Sequence, residues 1–263
     1  MKPTRIYQCP DTIDGILTGI YEAGTSRYGH DYIKLEVTEP GTPTSMSLFS
    51  EYIEITEDPV KAGNVAESIQ KNISSAAYNY TISALLSADA DKANIAYHFL
   101  VYGFHVGPRI ISALQVSWVR QIFELKRSVM NEAHFFKEFL RFSQSDSLYI
   151  SVIEPKSRVV SLIMPHFSDR LNCESFIIYD KTHSEAGIHP ASGEWFIKNI
   201  LPNEGQILEN MYNNKDELTA LWKTFFDSIA IKERINPALQ RNLLPLHFRK
   251  HMSEFMEEQR GQY

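Results

Sequence analysis

Apolar positions along this chain change period several times, and each change marks an element boundary. Short β-rich runs at 5–9, 32–37 and 51–55 alternate with turn residues around Gly24 to Gly29 and Pro40-Gly41-Thr42-Pro43, which predicts strands joined by loops. Between the first two strands, Thr12 or Asp14 caps a short helix carrying Ile16, Leu17, Ile20 and Tyr21 on one side, a β-α-β start. From Pro59 the period becomes 3.6: Ala62, Val65, Ala66, Ile69 and Ile73 make one helix and Ala76, Ala77, Tyr80, Leu85 and Leu86 a second, joined near Asn72. A third helix starts at Asp89 or Asp91 and is expected to fail near Gly103 and to end by Gly107-Pro108. The fourth is the clearest, because Trp118, Ile122, Leu125, Val129, Ala133, Phe136 and Leu140 advance in steps of three and four.

After Phe142 the period turns to two, which predicts strands at 148–154, 159–164, 176–179 and 186–189, with a further one near 194–197. Helical pattern returns at 216–229, 240–243 and 246–256, broken by Pro237 and Pro245. The expected fold class is α+β: a helical bundle packed with a mixed or antiparallel sheet, after an α/β N-terminal start. The pattern reads as one unit over residues 1–263, with a finer alternative of two subdomains, 1–110 and 111–263.

Composition changes this picture little. In 263 residues, 43% hydrophobic and 22% charged content with 12 Gly and 12 Pro excludes collagen, wholesale disorder and low-complexity polymers. The most apolar stretches are interrupted by His, Gly, Gln or Arg, and the N-terminus lacks the apolar run of a secretory signal, so a cytoplasmic protein with no membrane partner is expected. The two cysteines, Cys9 and Cys173, are too far apart in sequence for a CxxC pair, which argues against a thiolate metal site. The chain carries none of the common signatures of phosphate loops, dinucleotide folds, serine-hydrolase elbows or zinc helices.

Candidate chemistry collects in five places. Pro165-His166-Phe167-Ser168-Asp169-Arg170 puts an imidazole, a carboxylate and a guanidinium on what reads as a proline-stiffened turn; either they pair with one another and with the loop, or they supply acid, base and anion-binding groups. Tyr179-Asp180-Lys181 closes the next predicted strand. Glu132 lies on the flank of the fourth helix's apolar stripe; it either pairs with Arg141 or a sheet residue, or is an acid of raised pKa beside the His166 loop. His247 and His251 are four apart with Glu254 beyond, a spacing better explained by solvated side chains than by a metal, and no metal is expected. The net charge of −6 opposes a uniformly basic nucleic-acid binder. Yet the stretch 222–251 carries Lys223, Lys232, Arg234, Arg241, Arg249 and Lys250 against Asp227 and Glu233, interleaved with Trp222, Phe225, Phe226 and Phe248. Such a stretch is either a solvated face over core aromatics or a phosphate-contacting surface.

Ordered segments across nearly the whole chain resemble a bacterial family described as DNA-metabolism or DNA-repair proteins that pair with a radical SAM protein. They include Tyr7 with residues 14–21, the Asn131-Glu132-Ala133-His134 and Arg141-Phe142 motifs, and Pro165 to Arg170. Ile178-Tyr179-Asp180, Gly187-Ile188-His189 and a C-terminal run of segments from Leu221 to Phe255 complete the set. The resemblance implies a role in DNA metabolism, with DNA and a radical SAM iron-sulfur protein as partners. Some relatives carry a fused uracil-DNA-glycosylase-like domain; this sequence ends soon after Glu254-Phe255, so glycosylase activity is not carried over. It also departs from its relatives at Lys181, where an arginine is more usual. With only two distant cysteines, the redox cofactor is expected to belong to the partner and this chain to carry none. Two roles follow as expectations: DNA binding and presentation through 222–251, or nucleic-acid processing by His166, Asp169, Arg170, Asp180 and Glu132. A scaffold touching only the protein partner is a third.

Overall fold

The computed structural model describes residues 2–38, 48–145, 147–213 and 244–252, which form an α+β fold with seven α-helices and two sheets among them. The chain divides into two compact units, Met1–Met130 and Asn131–Tyr263. No helix among the described residues is long and apolar enough to cross a membrane.

In the first unit, β1 (Thr4–Pro10), α1 (Ile13–Thr25) and β2 (Ile33–Thr38) form the expected β-α-β start, with Arg5 opposite Ile33 in parallel register. β3 (Ser50–Glu54) adds in parallel to the other side of β1. The Thr12 hydroxyl accepts from Gly15 N–H and so starts α1. Gly19 then lets the helix lie against β1, since a Cβ there would stand 2.2 Å from Cys9 Sγ. Cys9 itself is fully buried, and burial pushes its thiol up to about 12, which makes it an inert packing residue.

Three helices follow: α2 (Pro59–Asn72), capped by Asp58; α3 (Ser75–Leu85), capped by Ser74; and α4 (Lys92–Val106). α4 does not fail at Gly103 as the residue type suggests. Gly103 is a contact point, where a Cβ would meet Ile73 Cδ1 at 2.8 Å and Ile110 Cδ1 at 2.9 Å, and the helix runs on to Gly107 at φ 66°. Ile16, Leu35, Ile69, Phe99 and Leu100 are wholly buried at the centre of this unit. Lys92 at the start of α4 is buried too, its ammonium paired with Asp11 at 2.6 Å and donating to Ser87 carbonyl.

The unit boundary falls inside α5 (Ser117–Phe139), the long helix expected from its apolar stripe. In the second unit, β4 (Ser143–Ser145), β5 (Leu148–Ile153), β6 (Ser175–Asp180), β7 (Glu185–His189) and β8 (Phe196–Asn199) lie side by side in that order. Only the β5–β6 pair is parallel, so the sheet is mixed. The strand expected at 159–164 is instead the first half of α6 (Val160–Arg170). Val160, Ile163, Met164 and Phe167 recur at helical spacing and are buried, and a parallel β5–β6 pair needs a crossover of this kind. α7 (Pro202–Asn213) was not anticipated, although Glu204 accepting from Leu201 N–H marks its start. Residues 246–251 form a 3-10 turn; the helices expected at 216–229 and 240–243 lie outside the described residues.

Candidate functional site: an aromatic cavity

A cavity of about 1010 Å³ opens in the first unit, walled by α1, α2, α4, the 3-10 turn His30–Tyr32 and Trp118 at the start of α5. Its walls are unusually rich in rings. His98 stacks on Trp118 with centroids 4.5 Å apart and planes 18° apart. Tyr97 meets His98 edge-on at 5.3 Å, and its hydroxyl lies 2.7 Å from Nδ1 of His30. Tyr21, Tyr102, Phe104 and His105 complete the aromatic lining.

The local sequence accounts for this placement. Tyr97 points inward from α4 and is 1% exposed, while its neighbour His98 reaches the cavity half-buried. Gly29 at φ 97° turns the chain so that the short 3-10 segment brings His30 back to α4. Burial lowers the His98 pKa, with His30 adding to the effect, and burial raises that of the Tyr97 phenol. Both groups are therefore neutral near pH 7. They give the cavity hydrogen-bonding edges without a formal charge, and Asp31 is the carboxylate on its lining.

None of these residues was singled out from sequence. His30 and Tyr97 are far apart in the chain, and spacing carries no trace of a contact made through tertiary packing. The density of rings over 97–118 was the available signal, and it reads equally well as core.

The residues that were singled out lie in the second unit and do not form one cluster. Glu132 accepts from the backbone N–H groups of Lys156 and Ser157, at 2.7 and 3.0 Å, and so holds the loop between β5 and α6. From the same loop Arg158 reaches Glu185 at 3.1 Å, and Glu185 stands opposite Asp180 in the β6–β7 register. Asp180 is wholly buried; it accepts from Thr182 and His183 N–H, and its other oxygen lies 2.6 Å from His183 Nδ1. Arg158, Glu185, Asp180 and His183 thus form one polar group at the carboxyl ends of β5 and β6, and Glu132 holds the backbone of the loop from which Arg158 reaches it. Desolvation raises the Glu185 pKa, opposed by Arg158.

His166, Asp169 and Arg170 are exposed on α6, on a helix rather than a turn. Asp169 borders a separate cavity with His189; His166 and Arg170 do not line it. Arg249 is 7% exposed, with Nε donating to Leu244 carbonyl at 3.2 Å. Lys223, Lys232, Arg234 and Arg241 lie outside the described residues, as does the side chain of Lys250. Among the described residues no group of three or more His, Cys, Asp or Glu side chains is placed to hold a metal ion.

The fold is α+β, and the cavity of its first unit is roomy and lined largely by rings, with the Asp31 carboxylate among them. Residues 90–254 match the domain of unknown function DUF4130, well over half of the chain, and the protein belongs to that family. No curated protein matches it. Among solved structures it is similar to a pGpG-specific phosphodiesterase, PggH from Vibrio cholerae, at 9% identity over 80% of this chain and 97% of that one. The TM-score is 0.35, a likeness too low to carry an argument.

Proposed function

We propose that the protein acts in DNA metabolism by taking an unstacked nucleobase into the aromatic cavity of its first unit and presenting the strand to a radical SAM iron-sulfur partner. The observation that carries this reading is the stacked His98–Trp118 face, with the Tyr97–His30 hydrogen bond beside it. A base is flat, π-rich and edged with donors and acceptors, and stacking on an aromatic side chain is worth about 1–3 kcal/mol. A cavity of about 1010 Å³ has room for a base with its sugar. The His98 imidazole and the Tyr97 phenol offer donor and acceptor atoms to the base edge without drawing in phosphate. Backbone phosphates fall in this reading to the basic stretch 222–251. The likeness of the sequence motifs to radical-SAM-linked proteins supports the choice of partner, and two cysteines cannot hold an iron-sulfur cluster that needs more thiolates.

The test is DNA binding by the full chain, alone and with the radical SAM protein, across a salt series with single-stranded, duplex and uracil-containing probes. Trp118→Ala is expected to weaken single-strand binding about tenfold while leaving the salt slope unchanged, because it removes stacking and no phosphate contact. Lys232→Ala with Arg234→Ala is expected to flatten the slope by about two counterions. Absence of binding to every probe, by the chain and by the complex, would overturn the reading.

A further inference from the structure

The second unit contains a smaller cavity of about 470 Å³, between the C-terminal half of α6 and the β7–β8 connection. Two segments far apart in sequence meet there: Ser168, Asp169 and Asn172 from one side, His189, Glu194 and Trp195 from the other.

His189 is the fixed point of this wall. It is 3% exposed, its ring lies on Phe176 at 4.8 Å and 17°, and its Nδ1 stands 3.0 Å from the carbonyl oxygen of Glu174. A carbonyl can only accept, so Nδ1 carries a proton, and a ring with that one proton presents a lone pair at Nε2. Nε2 has no partner among the described residues, and the ring borders the cavity. The opposing loop is pinned by Ser192 N–H to Asn172 carbonyl at 2.6 Å and by Ala191 N–H to Ser175 Oγ at 3.0 Å. Ser192 adopts φ 58° to make this turn, so the cavity mouth is built rather than loose.

The lining has two carboxylates, Asp169 and Glu194, and no Lys or Arg. Neither carboxylate has an ion pair among the described residues. Their negative charge is spread along the wall rather than focused, since no three acidic or imidazole groups converge as metal ligands there. A spread of acceptors beside an indole suits an extended cation that donates in several directions and lies on the ring.

We infer that this cavity binds a small organic cation of guanidinium or primary-ammonium type, held by Asp169, Glu194 and the Nε2 of His189 against Trp195. The site is independent of the nucleobase cavity. The same chemistry is available as a free amine or as an arginine side chain of a protein partner.

Calorimetric titration of the full chain tests it, with methylguanidinium as the free cation, methylurea as its neutral isostere, and an acetylated, amidated Gly-Arg-Gly peptide as the side-chain source. Methylguanidinium is expected to bind at least about tenfold more tightly than methylurea, the margin of a charge-assisted pair. Asp169→Asn with Glu194→Gln, both exposed and harmless to packing, is expected to remove that margin, and His189→Gln to weaken binding by a smaller factor. A peptide that binds more tightly than methylguanidinium would identify a partner's arginine as the source; the reverse order would identify a free amine. Equal affinity for methylurea, an unchanged affinity in the double variant, or no binding heat with either cation would overturn the inference. Trp118→Ala leaves this titration untouched, so failure here and failure of the nucleobase reading are distinguishable.

Discussion

The two cavities use the same device to opposite ends. In the first unit His98 lies flat on Trp118, and in the second His189 lies flat on Phe176, at nearly the same interplanar angle. His98 has further rings around it and a single carboxylate, Asp31, on the same lining, so its wall is mainly a set of flat faces. His189 is locked by a backbone carbonyl and shares its cavity with Asp169 and Glu194, so its wall favours a cation. A stacked imidazole has no function of its own; the groups on its nitrogens and the charge beside it decide what it recognises.

The units also differ in what holds them together, and substitutions can break that contrast. The first is centred on apolar packing around Phe99 with one buried ammonium, Lys92, at the start of α4, and the second buries a carboxylate at Asp180 beside its sheet. The largest effect is expected from Phe99→Ala, about 3–5 kcal/mol in denaturant unfolding, with Phe99→Leu recovering most of it. Asp180→Ala is expected to cost about 3 kcal/mol, because two backbone donors and the His183 ring lose their acceptor together. Asp180→Asn, which keeps one carbonyl oxygen, should restore a good part. If Asp180→Ala were neutral, the polar network would be ornament and the two units would be held alike.

Glu132→Ala is expected to cost about 1 kcal/mol and to speed amide exchange at Lys156 and Ser157, the two donors it holds. Unchanged exchange there would mean that the β5–α6 loop is set by its own backbone.

The smallest effects are in pH dependence, and they have opposite signs in the two units. The folded-state pKa of His98 is below its ordinary 6.5, so the unfolded chain protonates first. Its contribution is intact above that value and is lost as pH falls below it toward the folded pKa. The folded-state pKa of Glu185 is above its ordinary 4.5, so the folded chain holds the proton longer. Its contribution is present below 4.5 and is lost as pH rises through the folded pKa. Stability measured against pH in His98→Gln and Glu185→Gln should lose these two slopes separately.

Much of the fold was legible in the residue pattern because amphipathic periodicity is local. The long helix α5, the β-α-β start and the helix break at Asn72 each follow from side chains within a few positions of one another. The α+β class followed from their order. A period of two after Phe142 predicts a strand over 159–164, whereas the helical state of α6 answers to a parallel strand pairing that brings Leu148 beside Ser175. The site was less legible. That Glu132, Asp169 and Asp180 belong to polar chemistry could be read from residue type. That Glu132 holds the loop from which Arg158 reaches Glu185 beside Asp180, that Asp169 instead lines a cavity with His189, and that His30 meets Tyr97 could not. Residue type and spacing determine which groups a segment offers and which face of it is buried; which groups meet is settled by sheet register and helix crossing, which depend on contacts between segments far apart in the chain.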